Sequence, residues 1–164
     1  MGGASERQPL DEANLDFIAS GVSIFVASRD ISNVPTLVRA LGCRIAPDRQ
    51  RISVFVASFQ CLALLQDVRA TRVIAAVFSQ PSTHRTIQLK GTDAAVEQLE
   101  NGDADIMQLQ ARAFAADLAL LGYPPILAQT MLAYAPNEVV AITFTATAAF
   151  VQTPGPRAGA PLQR

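Results

Sequence analysis

Hydrophobic positions along this chain recur with two periods, one typical of strands and one typical of helices. Alternation with period two, as at Ile52, Val54 and Val56, places apolar side chains on one face of a strand. Alternating or continuous β-branched and apolar runs predict six strands: 22–28, 34–46, 51–57, 72–79, 84–96 and 138–153. The connections between several of them are short turns, such as 47–50, which favour antiparallel neighbours.

Helical spacing predicts four helices around these strands, at 11–20, 59–70, 102–121 and 126–133. The first begins at Asp11, an N-cap residue, and the longest ends at Gly122, which two prolines follow. The chain therefore belongs to the α+β class. Because several strands are apolar on both faces, we expect a six-stranded antiparallel sheet curled into a small, closed or nearly closed barrel with flanking helices.

The length of 164 residues predicts one domain, which we place at 1–153. The remaining segment, 154–164, contains three prolines and two glycines, so we expect an extended or disordered tail there.

Composition points to an assembly of copies. Charged residues make up 16% of the chain and hydrophobic residues 50%, whereas roughly 25% charged residues are typical of soluble proteins. A chain with so few charged residues buries part of its apolar surface in a membrane or against a partner protein. The longest charge-free runs, 118–137 and 139–156, are interrupted by glycine and proline or by threonines and give no continuous apolar span. We therefore expect a homodimer and no membrane insertion.

Charge and cysteine usage exclude other classes. The net charge of −1, with no basic run, provides no electrostatic footprint for nucleic acid. Residues 1–9 contain no apolar core of a secretory signal. Cys43 and Cys61 lack a paired spacing, which predicts unpaired thiols in a cytoplasmic protein. With only one histidine, these cysteines argue against a structural metal site, and we assign no metal ligand.

Two sets of polar residues are candidates for function. Alternation along 84–96 places His84, Thr86, Gln88 and Lys90 on one face of a strand, which is either a solvated face or the lining of a site. Arg39 shares its predicted strand face with apolar residues and needs an anionic partner; these neighbours are Leu37, Leu41, Cys43 and Ile45. That partner is a carboxylate at a protein contact or an anionic group of a ligand. The common hydrolase and nucleotide-binding motifs are absent from the sequence, and nothing pairs His84 with a nucleophile.

Two stretches carry a family resemblance: "PTLVRALGCRIAPDRQRISVFV" and, after a helix, "RVIAAVFSQPSTHRTIQLKG". In this order they resemble the pyridoxamine 5′-phosphate oxidase-like, FMN-binding split-barrel family over about residues 15–96, and the "AFVQTPGP" ending is similar to that of uncharacterised members. The resemblance implies a six-stranded antiparallel split barrel, a homodimer, and FMN in a cleft between the two subunits.

The resemblance also implies site residues. Oxidases of the family carry Arg-x-x-x-x-Lys on the second strand, which corresponds to Arg39 and Arg44 with Leu41 between them. Their phosphate-binding Ser-Arg-Lys corresponds to Ser58-Phe59-Gln60, so both basic residues are missing and only the helix start remains for phosphate. The polar side chain that meets the flavin ring corresponds to Thr86, with Arg85 and Gln88 beside it.

Three functions remain open at this point. The first is an FMN-dependent oxidoreductase acting on a small-molecule substrate or a redox partner. It would not be a true pyridoxamine phosphate oxidase, because the chain has no tryptophan for the C-terminal substrate segment of those enzymes. The second is a non-catalytic protein that binds or stores flavin, deazaflavin or haem. The third is a dimeric interaction module with an empty cleft.

Overall fold

The computed structural model describes residues 10–135 and 137–162, which form nine strands and four helices. The strands are β1 (Ser23–Arg29), β2 (Pro35–Arg39), β3 (Gly42–Ile45), β4 (Arg51–Ala57), β5 (Ile74–Ser79), β6 (Thr86–Gly91), β7 (Ala95–Glu97), β8 (Val139–Thr145) and β9 (Ala148–Val151). The helices are α1 (Glu12–Ala19), α2 (Leu62–Thr71), α3 (Asp103–Leu120) and α4 (Pro125–Met131). The α+β class predicted from the sequence is confirmed.

The strands form two antiparallel sheets rather than one six-stranded barrel. The five-stranded sheet has the order β2-β1-β5-β6-β9, and the four-stranded sheet has the order β3-β4-β8-β7. The predicted strand number was therefore wrong, and the sheets do not close into a complete barrel within the described ranges. Each of the three longest predicted strands is divided in two, and its halves belong to different sheets.

Sharp bends explain the divided strands. The segment 34–46 bends at Ala40 and Leu41 between β2 and β3, and corresponding bends separate β6 from β7 and β8 from β9. At Gly91, the last residue of β6, an added Cβ would lie 2.8 Å from the backbone oxygen of Thr145. Glycine thus permits the close crossing of the two sheets at this corner.

The main core lies between the two sheets. Side chains of β4, including Ile52, Val54 and Val56, pack with Val26 and Phe78 of the five-stranded sheet. Helices α1 and α2 contribute to this cluster, so they cover the openings that the incomplete barrel leaves. Helix α3 packs instead on the other side of the four-stranded sheet, where Met107 meets Phe55, and α4 packs against α3, where Ala128 meets Phe114 and Leu118.

The C-terminal segment folds back along β9. Val151 donates a backbone hydrogen bond to Ala160 (2.9 Å), Leu162 donates one to Ala149 (2.8 Å), and Phe150 and Pro161 form a β-bridge. Residues 152–162 are thus a turn that returns to the sheet, whereas the proline and glycine content favoured an extended or disordered tail. Positions 163 and 164 of that predicted tail lie outside the described residues. The same holds for positions 1–9, where the sequence predicted that there is no secretory signal.

Both cysteines are free, as predicted from their spacing. Burial raises the pKa of the Cys43 thiol to about 12, and it also raises the pKa of Cys61. Across 10–135 and 137–162, no helix has both the length and the apolar character needed to cross a bilayer.

Candidate functional site

The candidate site is the face of the five-stranded sheet that points away from the core, here called the outer face. Strand register places one row of five side chains across it: Arg39, Phe25, Val77, Gln88 and Phe150. A second row lies beside the first, two residues away along three of the strands, and contains Ser23, Ser79 and Thr86. All eight side chains are only partly buried, so the outer face is accessible in the single chain.

Arg39 is the cation of this face. Its Nη1 donates a hydrogen bond to Ser23 Oγ at 2.7 Å, and its guanidinium lies over the Phe25 ring, 4.3 Å from the centroid. Partial burial lowers the pKa of Arg39, although an arginine stays protonated at physiological pH. Arg39 takes part in none of the ion pairs formed within the described ranges, so its charge is available to an anion.

The second row supplies hydroxyl groups. Ser79 Oγ and Thr86 Oγ1 lie 2.8 Å apart across neighbouring strands, and Gln88 follows Thr86 on the same face. These residues offer both donors and acceptors within reach of a flat ligand that lies on the sheet.

Apolar groups fill the rest of the outer face. Phe25 and Phe150 stand on either side of Val77 and Gln88 in the first row, and Lys90 lies over the Phe150 ring at 5.1 Å. Leu37, at the edge strand, is 67% exposed. The outer face thus combines an aromatic and aliphatic surface with the cationic side chains of Arg39 and Lys90 and a row of hydroxyls.

His84 does not belong to the polar ladder that the sequence predicted. It lies in the turn before β6, with a left-handed backbone (φ 59°), and its N–H donates to the carbonyl of Gln80. The turn ends the period-two alternation, so the ladder begins at Thr86. Gln88 and Lys90 lie on the same face of β6 as Thr86, as predicted.

The structure separates Arg44 and Leu41 from the outer face. The predicted common face of Arg39, Leu41 and Cys43 was wrong, because the bend at Ala40 and Leu41 sends β3 into the other sheet. Leu41 is buried beside Phe55 and Met107. Arg44 forms ion pairs with Asp103 Oδ1 at 2.8 Å and Glu100 Oε1 at 3.0 Å, so its charge is already neutralised.

Ser58 and Arg85 also lie elsewhere. Ser58 begins a 3₁₀ turn, Ser58–Gln60, that precedes α2, and its N–H and Oγ both donate to the carbonyl of Glu138. Arg85 immediately precedes β6, and its guanidinium lies 4.1 Å from the centre of the Phe17 ring of α1. Of the seven predicted cofactor ligands, the outer face therefore unites Arg39, Thr86 and Gln88.

Sequence reasoning missed Ser23, Phe25, Ser79 and Phe150. Their alternate positions in predicted strands were a signal that they share a face, but periodicity does not identify which strands are neighbours. Among the described residues, no group of three or more His, Cys, Asp or Glu side chains is placed to hold a metal ion.

No protein-family model matches the sequence, and no curated protein matches it. Solved structures, in contrast, do match this chain. HupZ from Group A Streptococcus aligns with a TM-score of 0.55 and 12% identity, covering 92% of this chain and 100% of that chain. A pyridoxamine 5′-phosphate oxidase-related, FMN-binding protein from Nostoc punctiforme PCC 73102 aligns with a TM-score of 0.52 and 11% identity, covering 93% and 88%.

An F420 reductase aligns with a TM-score of 0.54 and 10% identity, covering 85% of this chain and 98% of the other. The fold is therefore the one found in pyridoxamine 5′-phosphate oxidase-like, FMN-binding proteins and in F420 reductase. The resemblance read from the sequence is confirmed as a similarity of structure.

Proposed function

We propose that this protein is a cytoplasmic flavoprotein that binds FMN on the outer face of the five-stranded sheet, in a cleft closed by a second copy of the chain. Its activity is that of a flavin-dependent oxidoreductase acting on a small substrate. Bound FMN would supply the two-electron redox chemistry, and the chain would supply binding, orientation and hydrogen bonds.

The observation that carries this proposal is the side-chain arrangement around Arg39. A flavin ring is flat and apolar with polar edge atoms, and the row from Phe25 through Val77 to Phe150 offers a surface of that character. Thr86 and Gln88 lie on the same face, where they can donate or accept hydrogen bonds at the edge of the ring.

Arg39 supplies the anion-binding group. The Phe25 ring and the Ser23 hydroxyl fix its guanidinium in place, and no carboxylate pairs with it among the described residues. Several of its five N–H groups remain open, and a guanidinium suits the flavin phosphate or the carbonyl edge of the ring. Arg44 is excluded from this role because Asp103 and Glu100 already neutralise it.

A deazaflavin is the second candidate, because a solved structure with the same fold is an F420 reductase. A storage or carrier role is also consistent with the outer face. Its first and second rows, together with the next outward-facing residue of β6, contain two titratable side chains, which are Arg39 and Lys90. These positions hold no His, Cys, Asp or Glu side chain that could act as a general acid or base.

The absorption spectrum of the purified protein tests the cofactor. Flavin bands support FMN binding, and their bleaching by a reduced nicotinamide supports an oxidoreductase over a store. A deazaflavin spectrum supports the second candidate, and a Soret band indicates haem. A colourless protein that does not quench the fluorescence of added FMN contradicts the proposal.

The Arg39→Ala variant tests the site. Loss of a charge-assisted hydrogen bond should weaken FMN binding by roughly 1.5–3 kcal/mol, measured by fluorescence titration. Arg51→Ala is the matched control, because Arg51 lies in the other sheet and pairs with Asp48 at 2.9 Å on the surface. It should change FMN affinity by less than about 0.5 kcal/mol. Equal losses in the two variants would refute the assignment of Arg39.

A further inference from the structure

A cavity lies on the side of β6 opposite to the outer face. Its volume is about 440 Å³, within the range of small-molecule sites. The C-terminal turn forms one wall and α1 forms another. Its lining combines polar and apolar groups: Asn14, Arg85, Ile87, Val151, Thr153, Pro154, Gly155, Pro156, Arg157 and Leu162.

Arg85 is the fixed cation of this cavity. Its guanidinium stacks on the Phe17 ring at 4.1 Å, and its Nη2 donates to Asn14 Oδ1 at 3.0 Å. No ion pair formed within 10–135 and 137–162 includes Arg85, and only one of its five N–H groups has a partner there. A partly buried guanidinium with a held orientation and no counter-charge is a site for an anion.

Asn14 adds a neutral donor beside that cation. It is 7% exposed, and its Oδ1 accepts the hydrogen bond from Arg85. The amide N–H groups have no hydrogen-bond partner among the residues that the structure describes. Because none of the described residues has a buried side-chain nitrogen or oxygen without a partner, this amide nitrogen is accessible from the cavity, where its donors can bind a ligand.

Apolar side chains form another part of the cavity lining. Ile87 and Val151 are opposed across β6 and β9, and Leu162 is held beside them by its backbone bond to Ala149. Pro154 and Pro156 complete this wall. The C-terminal turn brings Arg157, an exposed side chain, to the rim of the cavity.

We propose that this cavity binds a small organic anion. The carboxylate or phosphate of the ligand accepts hydrogen bonds from Arg85 and from the Asn14 amide, and its apolar body lies against Ile87, Val151 and Leu162. Arg157 at the rim adds attraction for the negative charge. This site is distinct from the proposed flavin face, because the cavity is lined by Ile87, which points to the opposite side of β6 from Thr86 and Gln88.

Benzoate is a suitable probe because it combines a carboxylate with a flat apolar body, and benzamide is its uncharged counterpart. Binding to the full chain is measured by calorimetry, and the side-chain amide signals of Asn14 are followed by ¹⁵N NMR. We expect benzoate to shift these signals and to bind about tenfold or more tightly than benzamide. Inorganic phosphate, which has the charge without the body, should shift the same signals but bind more weakly than benzoate.

The Arg85→Gln variant should weaken benzoate binding by about tenfold to a hundredfold. Arg69→Gln is the control, because Arg69 is an exposed arginine of α2 away from the cavity. Its affinity for benzoate should equal that of the unsubstituted chain. Should Arg85→Gln fail to fold, the Asn14 signals of the unsubstituted chain decide the question.

Three results would overturn the proposal. The first is equal binding of benzoate and benzamide, and the second is equal effects of the two arginine variants on benzoate binding. The third is that the Asn14 signals do not move at about 10 mM benzoate, a concentration well above the dissociation constant expected of a specific site. The same measurements with FMN present separate the two sites. Benzoate binding that persists in Arg39→Ala supports the cavity whatever the fate of the flavin proposal.

Discussion

Two arginines five positions apart show how the surroundings of a residue decide its role. Arg39 and Arg44 both match the spacing that the family resemblance implies for flavin contact. Arg44 is held by the fully buried carboxylate of Asp103 and by Glu100, so it joins β3 to the start of α3. Arg39 has a ring and a hydroxyl as neighbours but no counter-charge in the described chain. Only the three-dimensional structure separates these two cases.

The Cys43 thiol makes the stability of the fold dependent on alkaline pH. Burial raises its pKa from the ordinary 9.0 to about 12, so the thiolate is favoured in the unfolded chain. The free energy of unfolding should therefore keep the full contribution of Cys43 below about pH 9 and lose it as the pH rises toward 12. At about pH 10 the loss should be roughly 1 kcal/mol, measured by urea unfolding across the pH range.

The Cys43→Ala variant provides the control for this pH dependence. It removes the titrating group while Cys61 and every other ionisable residue remain. The difference in unfolding free energy between the two proteins should be constant below about pH 9 and should shrink above it. A difference that is unchanged at about pH 10 would show that the Cys43 pKa is not raised by folding.

At the scale of elements, periodicity located the strands but not their bends. The segments 34–46, 84–96 and 138–153 kept a strand-like pattern throughout, yet each crosses from one sheet to the other. Periodicity reports alternation along a segment but not the point at which the chain bends and the two faces exchange. The sequence thus predicts the class and the helices, whereas the division of strands between sheets depends on contacts distant along the chain.

The candidate site was predictable to the same extent. Alternation correctly placed Thr86 and Gln88 on one face of β6. It did not place Ser79 beside Thr86 or Arg39 beside Phe25, since those pairings depend on strand register. Arg85 was assigned to the same site because it is adjacent to Thr86 in sequence, but it lies just before β6 and contacts Phe17 and Asn14 of α1 instead.

The corner at Gly91 should be intolerant of a side chain. An added Cβ would lie 2.8 Å from both the Phe144 ring and the backbone oxygen of Thr145, and the backbone atom cannot move without disturbing β8. We expect Gly91→Ala to lower the free energy of unfolding by about 1–3 kcal/mol, the range for an overpacked core, as measured by urea titration.

Thr92→Ala is the neighbouring control for this corner. Thr92 is exposed, so its replacement should change stability by no more than about 0.5 kcal/mol. If both variants were as stable as the unsubstituted chain, the sheets would cross with more space at Gly91 than the structure shows.

At the scale of the whole molecule, low charge and an uncovered sheet face point to the same assembly. The chain is 16% charged, and the outer face leaves Phe25, Val77 and Phe150 partly exposed, with Leu37 67% exposed at its edge. Apolar patches of this kind mark interaction surfaces. We therefore expect two copies to pair through their outer faces, with the proposed flavin held between them.

The Leu37→Lys variant should disrupt this homodimer without unfolding the subunit. Leu37 makes little contact within its own chain, but a lysine there would bring an unpaired charge into the interface, near Arg39. Sedimentation should show the unsubstituted protein as a dimer at micromolar concentration and Leu37→Lys as a monomer. Circular dichroism should show the same secondary structure for both.

Leu120→Lys makes this test specific for the outer face. Leu120 is 77% exposed at the end of α3, so the two leucines are matched in exposure but lie on different surfaces. If the outer face is the interface, only the Leu37 change separates the subunits, and FMN binding falls with it because the cleft needs both copies. A dimer that survives Leu37→Lys but not Leu120→Lys would place the interface on α3. A monomeric unsubstituted protein would leave the outer face open and remove the second wall of the proposed cleft.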